Sequence, residues 1–432
     1  MITNQCGKMR ILIVNTSENT GGAAVAANRL MVALNNNGEK AKMLVRDKQT
    51  ENISVIAMPQ GWRQQWNFLW ERWCIFWRMH FSRKHLFEVD IANAGWDITK
   101  TPEFQEADVI HLHWVNQGML SLKGIRKILR SGKPVVWTMH DLWPATAICH
   151  YARGCQYYKT RCGHCQLLPG GGSKNDLSVQ IWNRKASMLR AGNIFFVTCS
   201  KWLEGEARQS ALLKGQQVTT IPNAIDTRVF RPMDKKEARR KMGLPEQGNI
   251  ILFVSQRVTD ERKGISYLIE AVKHLVADDP SLQENTSIAI LGGHAEEVAH
   301  QLCLPVHALG YVNDEQTIVS VYNAADVFVT PSLEDNLPNT IMESLACGVP
   351  CVGFAVGGIP EMIDHKKNGY VAACRQSDDL AKGLRWVLLE ADKESLHQQA
   401  LHKVSLNYSQ SRVALRYVEV YHQVIAQKQF ML

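Results

Sequence analysis

The sequence predicts an α/β protein made of two tandem domains, each built on a mostly parallel sheet. Three observations carry that reading. The chain is 432 residues long, more than one hydrophobic core ordinarily serves. Short apolar runs that read as strands alternate with longer amphipathic runs that read as helices. The alternation pauses at a Pro-containing link near 223–232 and then begins again.

The first strand is RILIV (10–14), followed by a loop holding Gly21 and Gly22 and by the helical AAVAANRLMVAL. Its apolar run is too short for a signal-peptide core, so a cytoplasmic location is expected. ADVIHLHW (107–114), PVVWTMHD (134–141) and IFFVTCS (194–200) supply further strands. After the link come NIILFVSQR (Asn249–Arg257), the helical GISYLIEAVKHLV, the strands SIAILGG and ADVFVTPS, and the helical TIMESLACG. SRVALRYVEVYHQVIAQ (411–427) reads as a closing helix. A hydrophobic content of 45% and a charged content of 21% describe a soluble globular chain. No run of 18 apolar residues is present to cross a membrane. The net charge of +8 favours anionic partners (nucleotide, phosphate, membrane surface or nucleic acid) without choosing among them.

Ligands of open parallel sheets sit at the carboxyl ends of strands, so polar residues there are the candidates. Gly21 and Gly22 let backbone approach a phosphate or hydroxyl before a helix start, although any tight turn also favours glycine. His140 and Asp141 end one strand, and a half-buried structural histidine is the plain alternative. SQRVTDERKG carries Arg257 and Lys263, two cations able to clamp a diphosphate. The plain alternative there is a solvated loop. PSLEDNLPNTIMESLACGVP (331–350) places Asp335, Asn339, Thr340 and Glu343 where a strand gives way to a helix.

Two further segments stand out. In the stretch 61–85, Trp62, Trp66, Trp70, Trp73 and Trp77 recur every three or four residues, on one face of a helix. Arg63, Arg72, Arg78, Arg83 and Lys84 surround them, with Glu71 the single acid. Such a helix suits an anionic membrane surface, and it equally suits packing of the Trp stripe on the first sheet. A stacking surface for single-stranded nucleic acid is a third reading, with no recognition motif behind it, so no nucleic acid is expected. The stretch 149–165 holds Cys149, Cys155, Cys162 and Cys165, separated by loops of five, six and two residues. Four thiolates at such spacing fit a structural zinc. Reduced thiols and disulfides are the alternatives, and His150 and His164 are alternative ligands.

The order of these pieces resembles the retaining glycosyltransferases of family 4. The resemblance covers nearly the whole chain and rests on SQRVTDERKG, GGIPEMI and above all PSLEDNLPNTIMESLACGVP. It implies a GT-B architecture, two Rossmann-like domains with a cleft between them. An acceptor domain would span 1–225, a nucleotide-sugar domain 226–408, and a helix over 409–432 would cross back to the first domain. By the same resemblance Glu343 holds the donor's ribose hydroxyls and Asp335 faces its sugar. Asn339 and Thr340 would lie near the phosphates, Arg257 and Lys263 would stabilise the leaving diphosphate, and His140 would position the sugar. No catalytic metal is expected. The family's usual Glu is replaced here by Asp335, and its Gly-Phe-Gly by Asn336-Leu337-Pro338. Pro338 lacks an N–H, so one sugar contact must differ. NLPNT looks like a subgroup that builds bacterial surface polysaccharides, such as the colanic-acid-type transferases, and similar Cys-rich inserts occur there. That likeness implies a hexose-type donor sugar, a lipid-linked saccharide acceptor and a peripheral position on the inner face of the plasma membrane. The alternatives are an epimerase or inverting transferase of the same fold, or a non-catalytic nucleotide-sugar binding or scaffold protein.

Overall fold

The strands of the first half are β1 (Arg10–Ser17), β2 (Lys40–Asp47), β3 (Val55–Ala57), β4 (Val109–Leu112), β5 (Val135–Met139), β6 (Phe195–Thr198) and β7 (Gln217–Thr220). They form one parallel sheet in the order β3-β2-β1-β4-β5-β6-β7. The second half contributes β8 (Asn249–Arg257), β9 (Thr286–Gly293), β10 (Val306–Gly310), β11 (Val327–Thr330), β12 (Cys351–Phe354) and β13 (Gly369–Ala372). These form a parallel sheet in the order β10-β9-β8-β11-β12-β13. The structure, a computed structural model, describes residues 8–59 and 61–429.

Both sheets reverse strand order once, between β1 and β4 and between β8 and β11. Ligands favour such reversal points. The central strands are buried on both faces, as the near-continuous apolar runs of β1, β5 and β11 require. The chain divides into two compact units. One comprises residues up to Pro222 together with those from Val413 onward, and the other is Asn223–Arg412. Each unit is a Rossmann-like domain.

The last helix, Gln410–Gln429, buries Val413, Tyr417, Val420, Tyr421 and Val424 at helical spacing. Two of its hydroxyls reach strands of the first sheet. Tyr421 Oη lies 2.7 Å from His111 Nδ1, and Tyr417 Oη lies 3.0 Å from Thr138 Oγ1.

The Trp-rich segment is the helix Trp62–Arg78. Its inward face carries Ile75, with Met79 just beyond its end, and both join the core of the first unit. Trp66, Trp70, Trp73 and Trp77 lie on the outer face and are exposed. The side chains of Trp62 and Arg63 lie outside the described residues. Arg72 is corrected by the structure: it does not flank the Trp stripe but turns inward with Glu71, and both are buried. The reason is a polar partner brought from later in the chain. Arg72 pairs with Asp90 and donates to the Leu86 carbonyl at 2.7 Å, while Glu71 accepts from the Ile91 and Ala92 amides at 3.1 and 2.6 Å.

Candidate active site

At the carboxyl edge of the second sheet, three loops converge. Gly264 has φ +72, and a side chain there would put Cβ 2.0 Å from the Pro331 carbonyl oxygen. Gly357 has φ +53, and its Cβ would sit 1.7 Å from the Asp335 carbonyl oxygen. Glycine at both positions therefore meets a backbone and a steric demand together. The close approach brings Lys263 Nζ within 2.6 Å of Asp335 Oδ2. Arg262, which spacing alone does not single out, places Nη1 3.6 Å from the same oxygen and 3.0 Å from the Glu334 carbonyl. Burial pushes the Asp335 carboxyl up, but Lys263 and Arg262 outweigh it and hold it below the ordinary carboxylate range.

Arg257 stands apart from this cluster. It is exposed at the end of β8, with its Nε 3.1 Å from Thr259 Oγ1. The helix Asn339–Ala346 begins after Pro338, which supplies no side-chain cap. Its first turn carries Asn339 and Thr340, an arrangement suited to an anion. Asn339 Oδ1 accepts from Asn223 Nδ2 at 3.0 Å. Glu343 is nearly buried and accepts from the Tyr322 hydroxyl at 2.9 Å.

In the first unit, Gly21 precedes the helix Gly22–Asn36, with open space about its α-carbon. The ends of β1 and β4 are tied together nearby. The Trp114 amide donates to Asn15 Oδ1 at 2.9 Å, and Thr16 Oγ1 donates to the Asn116 carbonyl at 2.8 Å. His140 belongs to a column of histidines. Its Nε2 lies 2.9 Å from His113 Nδ1, the two rings are stacked, and its Nδ1 lies 3.5 Å from Cys199 Sγ. His111 continues the column, with ring centroids 4.3 Å from His113, and is held by Thr138 and Tyr421. Burial pushes His140 down to about 4, with Asp141 opposing. Burial likewise lowers His111 to about 3, with His140 adding to it. The column is therefore neutral at pH 7. Two histidines two residues apart at the end of an extended run, as in HLHW, share a face, and that is the sequence signal for this column.

Asp141 leads into a second buried network. His150 bridges Asp141 Oδ2 and Asp90 Oδ2 at 2.7 Å each, and Trp114 Nε1 donates to Asp141 at 2.9 Å. Burial disfavours the imidazolium, yet Asp141 and Asp90 prevail and lift His150 to about 10. Burial raises Glu71 to about 7, with Asp90 adding and Arg72 opposing. The inward face of the Trp helix is thus joined by ionic contacts to the residue after His140.

Cys149, Cys155, Cys162 and Cys165 are free and partly buried. Burial raises Cys149 and Cys162 to about 12, and the other thiols of the cluster add to the shift in Cys149. Among the described residues, no group of three or more His, Cys, Asp and Glu side chains is arranged to hold a metal ion.

Comparison with known families settles the broad class. A model of the glycosyltransferase family 4 domain matches residues 20–229, and one of the glycosyl transferases group 1 domain matches 234–401. The chain is a family 4-like glycosyltransferase of the GT-B fold. This glycosyltransferase is 27% identical to an uncharacterized glycosyltransferase of Methanocaldococcus jannaschii, over 77% of its own length and 89% of the relative's. It is 29% identical to a D-inositol 3-phosphate glycosyltransferase of Geodermatophilus obscurus, spanning only 40% of each chain. Its fold matches that of Anabaena HepE, solved in complex with UDP-glucose, with a TM-score of 0.63 and 16% identity over 96% of this chain and all of that one. Neither curated relative belongs by name to the colanic-acid-type subgroup. No helix among the described residues of the glycosyltransferase is long and apolar enough to cross a membrane.

Proposed function

We propose that the protein transfers a hexose-type sugar from a nucleotide-sugar to a hydroxyl acceptor with retention of anomeric configuration. The observation that carries this reading is the convergence of Lys263 and Arg262 on Asp335 beside an uncapped helix start. In this reading the diphosphate lies against that helix start, with Asn339 and Thr340 near it and Arg257 and Lys263 neutralising it. Glu343 takes the ribose hydroxyls and Asp335 a sugar hydroxyl. The bond from the anomeric carbon to the diphosphate oxygen breaks, and a bond to the acceptor oxygen forms on the same face. The acceptor's proton passes to the departing phosphate, so no protein nucleophile is used. His140 positions the sugar as a neutral ring, and Gly21 and Gly22 leave room for a ligand at the first sheet's edge. That HepE was solved with UDP-glucose supports a nucleotide-sugar donor.

The acceptor in this reading is a lipid-linked saccharide of bacterial surface-polysaccharide synthesis, met at an anionic membrane surface. The likeness to a D-inositol 3-phosphate glycosyltransferase favours a second reading, a small phosphorylated polyol. A thermal-shift screen of nucleotide-sugars tests the donor. One family of donors should raise the melting temperature, because a ligand at a hundred times its Kd stabilises by about 2.7 kcal/mol. Glu343→Gln should abolish the shift. A complete panel without any shift or product would sink the reading. NMR of the product anomer separates retention from inversion, and product formed without acceptor would indicate an epimerase.

We further propose one structural zinc on the four cysteines of the 149–165 loop. The close spacing of the four cysteines in the sequence supports it, and binding would require the thiols to turn toward a common centre. Metal analysis of protein purified without chelator should find about one zinc per chain. Active protein free of zinc would defeat this assignment.

A further inference from the structure

The outer face of the helix Trp62–Arg78 carries four tryptophans, Trp66, Trp70, Trp73 and Trp77, each 44% to 58% exposed. At 100° per residue they fall within an arc of about 60°. Trp66 and Trp70 stack with centroids 6.0 Å apart, so the face is a continuous aromatic surface. Leu69 at its edge and Phe81 beyond the helix end are each 58% exposed. A contiguous apolar patch of this kind on a folded protein marks an interaction site.

The charges around the patch select the partner. Arg78, Arg83 and Lys84 are exposed at the end of the helix and in the turn after it. Arg78 lies over the Trp77 ring at 5.6 Å. The one acid of the helix, Glu71, points the other way and is fully buried. The exposed face is therefore aromatic and cationic with no carboxylate of its own. The whole chain carries a net +8, which disfavours a second copy as occupant. Trp at the water boundary with Arg and Lys beside it fits the headgroup region of a bilayer.

The helix is also fixed rather than loosely appended. Gly118, in the loop after β4, sits so close that a side chain there would put Cβ 2.9 Å from the Phe68 amide nitrogen. With Ile75 and Met79 in the core and Arg72 paired to Asp90, the Trp face is presented on a rigid support.

We infer that this face is the docking surface for an anionic lipid bilayer, entered by Trp66, Trp70, Trp73 and Trp77 to headgroup depth and held by Arg78, Arg83 and Lys84. The inference deepens the membrane reading above and rests on it only for its purpose. Docking itself requires no donor chemistry.

The test uses the full-length protein and vesicles of phosphatidylcholine with about one third phosphatidylglycerol. Wild-type protein should co-sediment with them and bind pure phosphatidylcholine more weakly. High salt should release part of the bound protein, since screening removes the ionic share and leaves the aromatic one. The triple variant Trp66→Gln/Trp70→Gln/Trp73→Gln should lose vesicle affinity at least about tenfold while keeping its melting temperature, because exposed side chains contribute little to the fold. Arg78→Glu/Arg83→Glu/Lys84→Glu should remove the preference for anionic lipid. Unchanged vesicle binding by the Trp variant overturns the inference. So does a collapse of its melting temperature, or a wild-type dimer that forms through this face in place of vesicle binding. Vesicle binding without sugar transfer from any donor would instead sink the proposed reaction and leave the docking surface standing.

Discussion

Lys263→Ala should lower transfer by about 10²–10³-fold with the fold intact. The loss corresponds to roughly 2.7–4 kcal/mol of transition-state stabilisation, the usual share of one preorganised charge at a leaving group. Negative charge grows on the diphosphate as the glycosidic bond breaks, so the ammonium acts most strongly on the chemical step. Steady-state kinetics should therefore show the fall in kcat, with KM little changed. The fold is expected to survive because Arg262 still approaches Asp335, at 3.6 Å, and donates to the Glu334 carbonyl. Near wild-type kcat in the purified variant would remove Lys263 from the reaction.

Arg72→Ala should be among the most destabilising single substitutions in the first unit, at about 3–5 kcal/mol. Arg72 and Asp90 are 7% and 0% exposed, and the Glu71 carboxylate lies 3.9 Å from the same guanidinium. Removing the cation leaves carboxylates buried with His150 as the remaining partner of Asp90. Urea unfolding of the variant should show the loss, and Arg72→Met/Asp90→Asn should recover much of it because both charges then leave together. A midpoint unchanged in the single variant would mean that the network is not stabilising.

The same network sets an alkaline limit. His150 is raised to about 10, so its contribution is complete below an ordinary histidine pKa near 6.5 and is lost as pH rises toward 10. Glu71, raised from 4.5 to about 7, works in the same direction at lower pH, its loss falling between those two values and adding nothing above them. Wild-type urea midpoints should therefore fall between about pH 7 and 10.

Legibility in the sequence followed burial. β1, β4, β5, β6, β8, β9 and β11 announce themselves as apolar runs because both faces of a central parallel strand are covered. β2, β7 and β10 carry Lys, Gln or His among their apolar residues, and β12 and β13 each hold a glycine within four residues. Those strands are too mixed for period alone to find. The cluster at Asp335 was half legible. Motif spacing indicates Lys263, but which of two adjacent cations reaches the carboxylate depends on the turn at Gly264, and Arg262 emerges only from its geometry. The Trp helix shows the same limit. Three-to-four spacing locates the aromatic face, whereas the inward turn of Arg72 depends on Asp90, eighteen residues later.

The last helix has a consequence for the order in which the molecule can be made. Tyr417 and Tyr421 complete the hydrogen bonding of Thr138 and His111, deep in a sheet whose seventh strand ends at Thr220. Some 190 residues, from Asn223 to Arg412, are translated between that strand and the helix. At typical elongation rates the wait is roughly 10–40 s. Throughout it, Thr138 and His111 of the nascent first unit have each other but lack Tyr417 and Tyr421, and by its end the second unit has its full complement of chain. A segment translated after the second unit thus completes the unit translated before it.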